Sequence, residues 1–201
     1  MKHLLFFGDS ILLGVGEPGR GGWVGRLAEG LVADGRLSPA TSSIYNLGVR
    51  RASSRQIQAR WHQEFAVRRG LTEVDCALLL FSFGVVDMAA PKGTPNMRME
   101  ESVQTAKEIL ISARDAAPVL LVGPTPVAGP EHAQRIETLS QKYDELCAQL
   151  AVGFVDLFTP LARSEAFMGD LPDGVHPGSV GNELIARQVL ASDGLRAWLN
   201  A

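Results

Sequence analysis

Leu4-Leu5-Phe6-Phe7-Gly8-Asp9-Ser10-Ile11-Leu12-Leu13-Gly14 is the stretch on which the reading of this chain turns. Its first four residues form a continuous apolar run, too short for a helix and without polar alternation, as expected of a parallel strand covered on both faces. Gly8 then lets the backbone turn sharply, and Asp9 and Ser10 stand where a strand of an open α/β sheet delivers its ligand-binding residues. Working outward, the run extends to His3–Phe7, and similar runs recur at Ser43–Leu47, Ala77–Phe83, Val119–Val122 and Phe154–Leu157. Between them lie segments of helical period: Trp23–Asp34, Ser54–Arg69, Met99–Ala116, Glu131–Leu150 and, last, Ser179–Leu190. In the third, Val103, Ala106, Ile109, Leu110 and Ala113 make one apolar stripe. Strand–helix alternation predicts a three-layer αβα domain of the α/β class, with a five-stranded parallel sheet of order 2-1-3-4-5, the flavodoxin-like arrangement. No repeat or interdomain linker interrupts it, so residues 1–201 are expected to form one domain.

Composition narrows the function. The 201 residues are 46% hydrophobic and 20% charged, ordinary for a chain with a real core, and the net charge is −3. Neither a nucleic-acid partner nor an anionic membrane fits that balance. The nearest thing to a basic cluster, Arg50, Arg51, Arg55, Arg60, Arg68 and Arg69, reads as the solvated face of one helix. Cys76 and Cys147 are far apart and set in apolar surroundings, as buried free thiols would be. No His/Cys cluster suggests a metal site. The N-terminal apolar run is too short for a secretory signal, and no segment approaches the ~18 residues of a membrane span. A cytoplasmic chain is expected; its oligomeric state is not legible.

Two short blocks carry chemistry. Gly8-Asp9-Ser10 can present a serine hydroxyl at a helix N-terminus, or can simply be a strand end where Ser10 caps a helix. Asp173-Gly174-Val175-His176-Pro177 places a carboxylate and an imidazole three residues apart on a glycine turn. Pro177 is suited to open the final helix, with His176 at its mouth. A serine becomes a nucleophile when a base takes its proton and an acid orients that base. The plain alternative for the pair is a capping Asp with a His packed against it.

Together the blocks resemble those of the GDSL-type, or SGNH, hydrolase family of esterases and acylhydrolases, over nearly the whole chain. The resemblance implies Ser10 as nucleophile, His176 as base and Asp173 as orienting acid. It further implies an oxyanion hole built from the N–H groups of Ser10 and of Gly48, in Asn46-Leu47-Gly48. Trp23 matches a family tryptophan expected to pack rather than react. The third block departs: where the family has Gly-x-Asn-Asp, this chain has Gly84-Val85-Val86-Asp87. Valine supplies no donor, and losing one such donor costs on the order of 10²–10³ in rate. Asn96 is a candidate substitute, though its position better suits a cap or turn.

Three functions follow for testing. The first is hydrolysis of small soluble carboxylic esters, without metal or organic cofactor, in a pocket walled by Gly14–Gly22 and Met88–Met97. The second is a non-catalytic binding module of the same fold. The third is a phosphoryl-accepting receiver using Asp9, Asp87 and Thr125; it lacks the expected lysine after strand five and gives no role to Asp173 and His176.

Overall fold

Each of the five apolar runs becomes a strand of one sheet. The computed structural model describes residues 1–17, 19–69, 76–91 and 93–201. Its strands are β1 Lys2–Gly8, β2 Ser42–Gly48, β3 Cys76–Ser82, β4 Val119–Val122 and β5 Gly153–Val155. All pair in parallel, in the order β2-β1-β3-β4-β5. The register sets Gly8 opposite Gly48 on one side and Ser82 on the other, so three strands end in one row beside the reversal in strand order.

The helices are α1 Ser10–Leu13, α2 Gly22–Ala33, α3 Ser54–Arg69, α4 Val85–Met88, α5 Met99–Ala116, α6 Pro130–Leu150, α7 Phe158–Ala162, α8 Glu165–Met168, α9 Ser179–Ala191 and α10 Asp193–Leu199. Right-handed crossovers put α3, α5 and α6 on one face of the sheet, while α2, α9 and α10 cover the other. Successive strand residues point to opposite faces. Phe6 therefore stands edge-on to Trp23 of α2 and Trp198 of α10, 6.3 and 6.1 Å between centroids, while Phe7 meets Trp61 of α3 at 6.4 Å. With apolar layers on both sides, an uninterrupted run such as Leu4–Phe7 is buried at every position, each large side chain contributing ~1.5–3 kcal/mol. The α5 stripe behaves likewise: Ala106, Ile109, Leu110 and Ala113 are fully buried and Val103 packs beside them.

Some boundaries move. β5 stops at Val155, because Asp156 Oδ1 accepts the Thr159 N–H (3.2 Å) and starts α7 there. Pro177 does not open the following helix. Gly178 caps α9, while the Pro177 carbonyl accepts from Asn182 Nδ2 at 2.8 Å. Nor is α9 the last helix, since α10 follows it. The four- to seven-residue helices are too short to show a period in sequence.

Cys147 is buried, and burial pushes its thiol up to about 12. Pro18 of the first crossover, Lys92 and the side chain of Cys76 lie outside the described residues. Among the described residues no helix is long and apolar enough to cross a membrane, and no group of three or more His, Cys, Asp or Glu could hold a metal ion.

Candidate active site

Ser10 is the first residue of α1, directly beyond the end of β1. The turn that places it is tightly packed: a Cβ on Gly8 would stand 2.4 Å from the Ser82 carbonyl oxygen. Asp9 caps α1, its Oδ1 accepting the Ile11 N–H at 2.9 Å. Burial, reinforced by the charge of Asp87 and opposed by that hydrogen bond, raises the Asp9 carboxyl from 3.8 to about 7.

The second block forms a turn around its own carboxylate. Gly174 takes φ 80°, a left-handed conformation that glycine adopts without steric cost. Asp173 Oδ1 accepts the N–H groups of Val175 (3.0 Å) and His176 (2.8 Å), while Oδ2 accepts from His176 Nδ1 at 2.6 Å. Partial burial pushes this carboxyl up, but the hydrogen bonds from His176 and Val175 outweigh it and hold the group at about 2. An ionised carboxylate only accepts, so Nδ1 carries the proton and Nε2 is the free base. Ser10 Oγ donates to that nitrogen at 2.8 Å, across 166 positions of sequence.

Asp173, His176 and Ser10 thus stand in one hydrogen-bonded chain. An arrangement of this kind can draw a proton from the hydroxyl and stabilise the imidazolium that results. Beneath it, the buried Arg26 guanidinium binds Glu17, Ser179 Oγ (2.7 Å) and Glu183 (2.7 Å), tying the first crossover to α9. A Cβ on Gly16 would lie 2.4 Å from the Pro177 carbonyl oxygen. The described part of Gly14–Gly22 is therefore a support under the histidine turn and not the pocket wall expected of it.

Ser10 and His176 line a cleft of about 1250 Å³ whose other walls are the turn and helix start at Arg51–Gln56, the loop from Val85 to Asn96, and the start of α6 from Gly129 to Arg135. The expected second wall, Met88–Met97, contributes Ala89, Ala90, Pro91, Gly93 and Asn96.

The donor side differs from the sequence expectation. The Ser10 N–H has no protein acceptor among the described residues. The Gly48 N–H, however, donates to Asn46 Oδ1 at 3.0 Å, and Gly48 does not line the cleft. Its role is packing: a Cβ there would stand 2.5 Å from the Leu13 nitrogen, and Asn46 Nδ2 donates to the Leu12 carbonyl at 2.9 Å. Asn46-Leu47-Gly48 is therefore a latch that fastens β2 to α1, the helix that Ser10 begins. The next turn, closed by the Ala52 N–H on Val49 O (3.1 Å), brings Arg51 to the cleft at φ 66°. Among the described residues the Arg51 N–H has no protein acceptor.

Val86 is half-buried and faces the cleft beside Val85. Asn96 also lines it, but its Nδ2 donates to Val86 O at 2.7 Å and its N–H to Ala89 O at 2.9 Å, the loop-closing part its position suggested. Asp87 is fully buried behind the site. It accepts the Ser54 N–H at 2.9 Å and the Ser102 hydroxyl at 2.6 Å, and so binds this loop to α3 and α5. The expected packing role of Trp23 agrees with its complete burial.

Sequence reasoning missed His132, whose Nε2 donates to Val85 O at 2.8 Å, and Arg135, whose Nε donates to Met88 O at 3.0 Å. Desolvation lowers the His132 pKa below the ordinary histidine value. It also misread the arginines as one solvated helix face. Arg50 and Arg51 precede α3, Arg60 holds Leu47 O (2.7 Å) and Gly8 O (3.3 Å), and Arg51 and Arg55 line the cleft. Residue type alone cannot show such directions.

The chain matches the GDSL-like Lipase/Acylhydrolase family over residues 6–184. No curated protein sequence matches it. Among solved structures it is similar to a lipase/acylhydrolase from Enterococcus faecalis, at 20% identity and TM-score 0.75 over 94% of both chains. A member of the lipolytic protein G-D-S-L family from Veillonella parvula gives 17% and 0.74 over 96% of this chain and 98% of that one. A catalytic mutant of an acetylxylan esterase from Geobacillus stearothermophilus gives 19% and 0.74 over 94% and 92%.

Proposed function

The chain belongs to the GDSL-like lipase/acylhydrolase family, and we propose that it is a serine esterase that cleaves small carboxylic esters through an acyl-enzyme on Ser10. The observation that carries this reading is the hydrogen-bonded chain from Asp173 through His176 to Ser10, with bonds of 2.6 and 2.8 Å, opening on one cleft.

In this reading His176 Nε2 takes the hydroxyl proton as Ser10 Oγ attacks the ester carbonyl carbon. The carbonyl oxygen becomes an oxyanion held by the N–H groups of Ser10 and Arg51, the latter in place of the occupied Gly48 N–H. As the tetrahedral intermediate collapses, His176 gives its proton to the departing alcohol. Water, deprotonated in turn by His176, attacks the acyl-serine and releases the acid. Asp173 orients the imidazole and offsets its charge throughout. No metal or organic cofactor takes part.

Val86 favours a second reading, a binding protein of the same fold in which the weakened oxyanion site no longer turns over. One experiment separates the two: a fluorophosphonate serine probe together with nitrophenyl esters of increasing acyl length. The esterase reading expects covalent labelling and turnover that both disappear in Ser10→Ala, with the melting midpoint preserved. Labelling and turnover absent from the wild type would leave the binding reading.

A further inference from the structure

The walls of the Ser10 cleft carry a charge opposite to that of the whole chain. The protein has net charge −3, yet among the described residues three arginines, Arg51, Arg55 and Arg135, line the cleft against a single carboxylate, Glu131. His132 adds no charge in its neutral form, and Asp173 is committed to His176 outside the lining.

Among the described residues no acid pairs with Arg51 or Arg135. The nearest acid to Arg55 is Glu101 at 3.9 Å, which Arg98 already holds at 2.9 Å. The three guanidiniums come from separate places: the turn after β2, the first turn of α3 and the second turn of α6. Arg135 is partly immobilised by its bond to Met88 O, which leaves its terminal nitrogens free for an anion.

Arg51 gives the sharper indication. It holds φ 66°, where a Cβ-bearing residue is strained. The other non-glycine residue with positive φ among those described, Ala151, has an ordinary reason as the left-handed cap of α6. Arg51 takes its φ as the third residue of the turn closed by Ala52 N–H on Val49 O, but its side chain makes no hydrogen bond among the described residues. A long cation at the cleft with no protein partner indicates a partner outside the protein. The cleft also has apolar lining, with Val85, Val86, Ala89, Pro91, Pro130 and Val175, which suits the hydrocarbon part of an ester. A concave site of this size takes a small molecule, and unpaired cations in a cleft concentrate anions there.

Resting on the esterase reading, we propose that the substrate is an anionic ester whose carboxylate or phosphate is held by Arg51, Arg55 and Arg135 while Ser10 attacks its ester carbonyl. The test uses the intact protein and three matched pairs. Mono-4-nitrophenyl glutarate against 4-nitrophenyl pentanoate places a carboxylate on the acyl side. Against methyl 4-acetoxybenzoate, 4-acetoxybenzoate places it on the alcohol side; 4-acetoxyphenyl phosphate against 4-methoxyphenyl acetate replaces it by phosphate.

The readout is the ratio of kcat/KM, charged over neutral, within each pair. At least one pair is expected to favour the anion by on the order of 10-fold, and the favoured pair names the source of the charge. That ratio should fall towards unity in Arg135→Gln and in Arg55→Gln/Arg135→Gln, and should also fall as salt rises from about 0.02 to about 0.5 M. If neutral esters are turned over and no pair favours the anion, this proposal is overturned and the esterase reading stands. A preference that survives in the arginine variants also overturns it. If no ester is turned over and Ser10 resists the serine probe, the esterase reading fails and this proposal falls with it.

Discussion

The two rims of the cleft are built on different terms. On the histidine rim, both carboxylate oxygens of Asp173 and both ring nitrogens of His176 have a hydrogen bond, and those partners lie within three residues of each other except Ser10. On the rim formed by the turn after β2 and the loop after β3, Val86 presents an apolar side chain to the cleft. There Gly48 has turned its N–H to Asn46, and a strained Arg51 stands at the edge. The difference teaches where local sequence suffices. In the proposed mechanism, proton transfer is set by a turn that carries its own acid, whereas stabilising the oxyanion requires N–H groups aimed from separate segments.

Breaking the histidine rim should have the largest effect. Asp173→Asn removes the acceptor that fixes the His176 tautomer, and kcat should fall by about 10³–10⁴-fold with little change in KM. Steady-state kinetics on a neutral nitrophenyl ester reads this; a loss below tenfold would mean that Asp173 does not orient the base.

The two carboxylates of the site sharpen the comparison through pH. Asp173 is held at about 2, whereas Asp9, sealed under Ser10, is raised to about 7. Between its ordinary value and about 7, folded Asp9 keeps a proton that the unfolded chain has released. Stability from this group is therefore full below about pH 4 and is lost as pH rises through about 7, by up to ~4 kcal/mol at 1.36 kcal/mol per unit. Asp9→Asn keeps the cap and removes the titration. Urea unfolding at pH 5 and pH 8 should show a flatter dependence in the variant, and an unchanged slope would locate the wild-type loss elsewhere.

On the opposite rim, Val86→Asn returns an amide donor to the cleft wall. Its kcat should rise by about 10-fold, less than the ~2.7–4 kcal/mol that such a donor is worth in a site built around it, because the neighbours have settled around a β-branched shape. If kcat is unchanged while the melting midpoint falls, position 86 does not face the oxyanion. The smallest effect belongs to Arg51→Gly. Relief of the left-handed strain, ~1–2 kcal/mol, less the entropy cost of glycine, ~0.5–1 kcal/mol, leaves a gain of between zero and ~1.5 kcal/mol. Denaturant unfolding measures it; a loss of stability would show that the Arg51 side chain is bound within the protein.

How much was legible in the sequence follows the same division. The strands could be read because burial on both faces demands unbroken apolar runs, and α3 and α5 because amphipathic period and flanking polar residues marked both their ends. Ser10, Asp173 and His176 could be singled out because two short local blocks together resemble those of a known hydrolase family, while each block alone also fits a cap or a packed turn. The Gly48 N–H expected to face the cleft is occupied by Asn46, and the Arg51 N–H proposed in its place was not foreseen, since the direction of a backbone N–H depends on which side chain comes to meet it. Asn46 reaches Gly48 from two residues away, but only because β2 is fastened to α1.

By itself the sequence determined the layered α/β class, the ends of the strands on which the site is built and the residues able to carry its proton transfer. Tertiary structure alone decided that Ser10 and His176 meet across 166 positions, that Asp87 is a buried anchor, and that three arginines share one cleft. The physical reason is range. Burial patterns and turn geometry are dictated within a few residues, whereas the aim of a donor and the sum of charges on a cleft belong to segments that touch only when the sheet has formed.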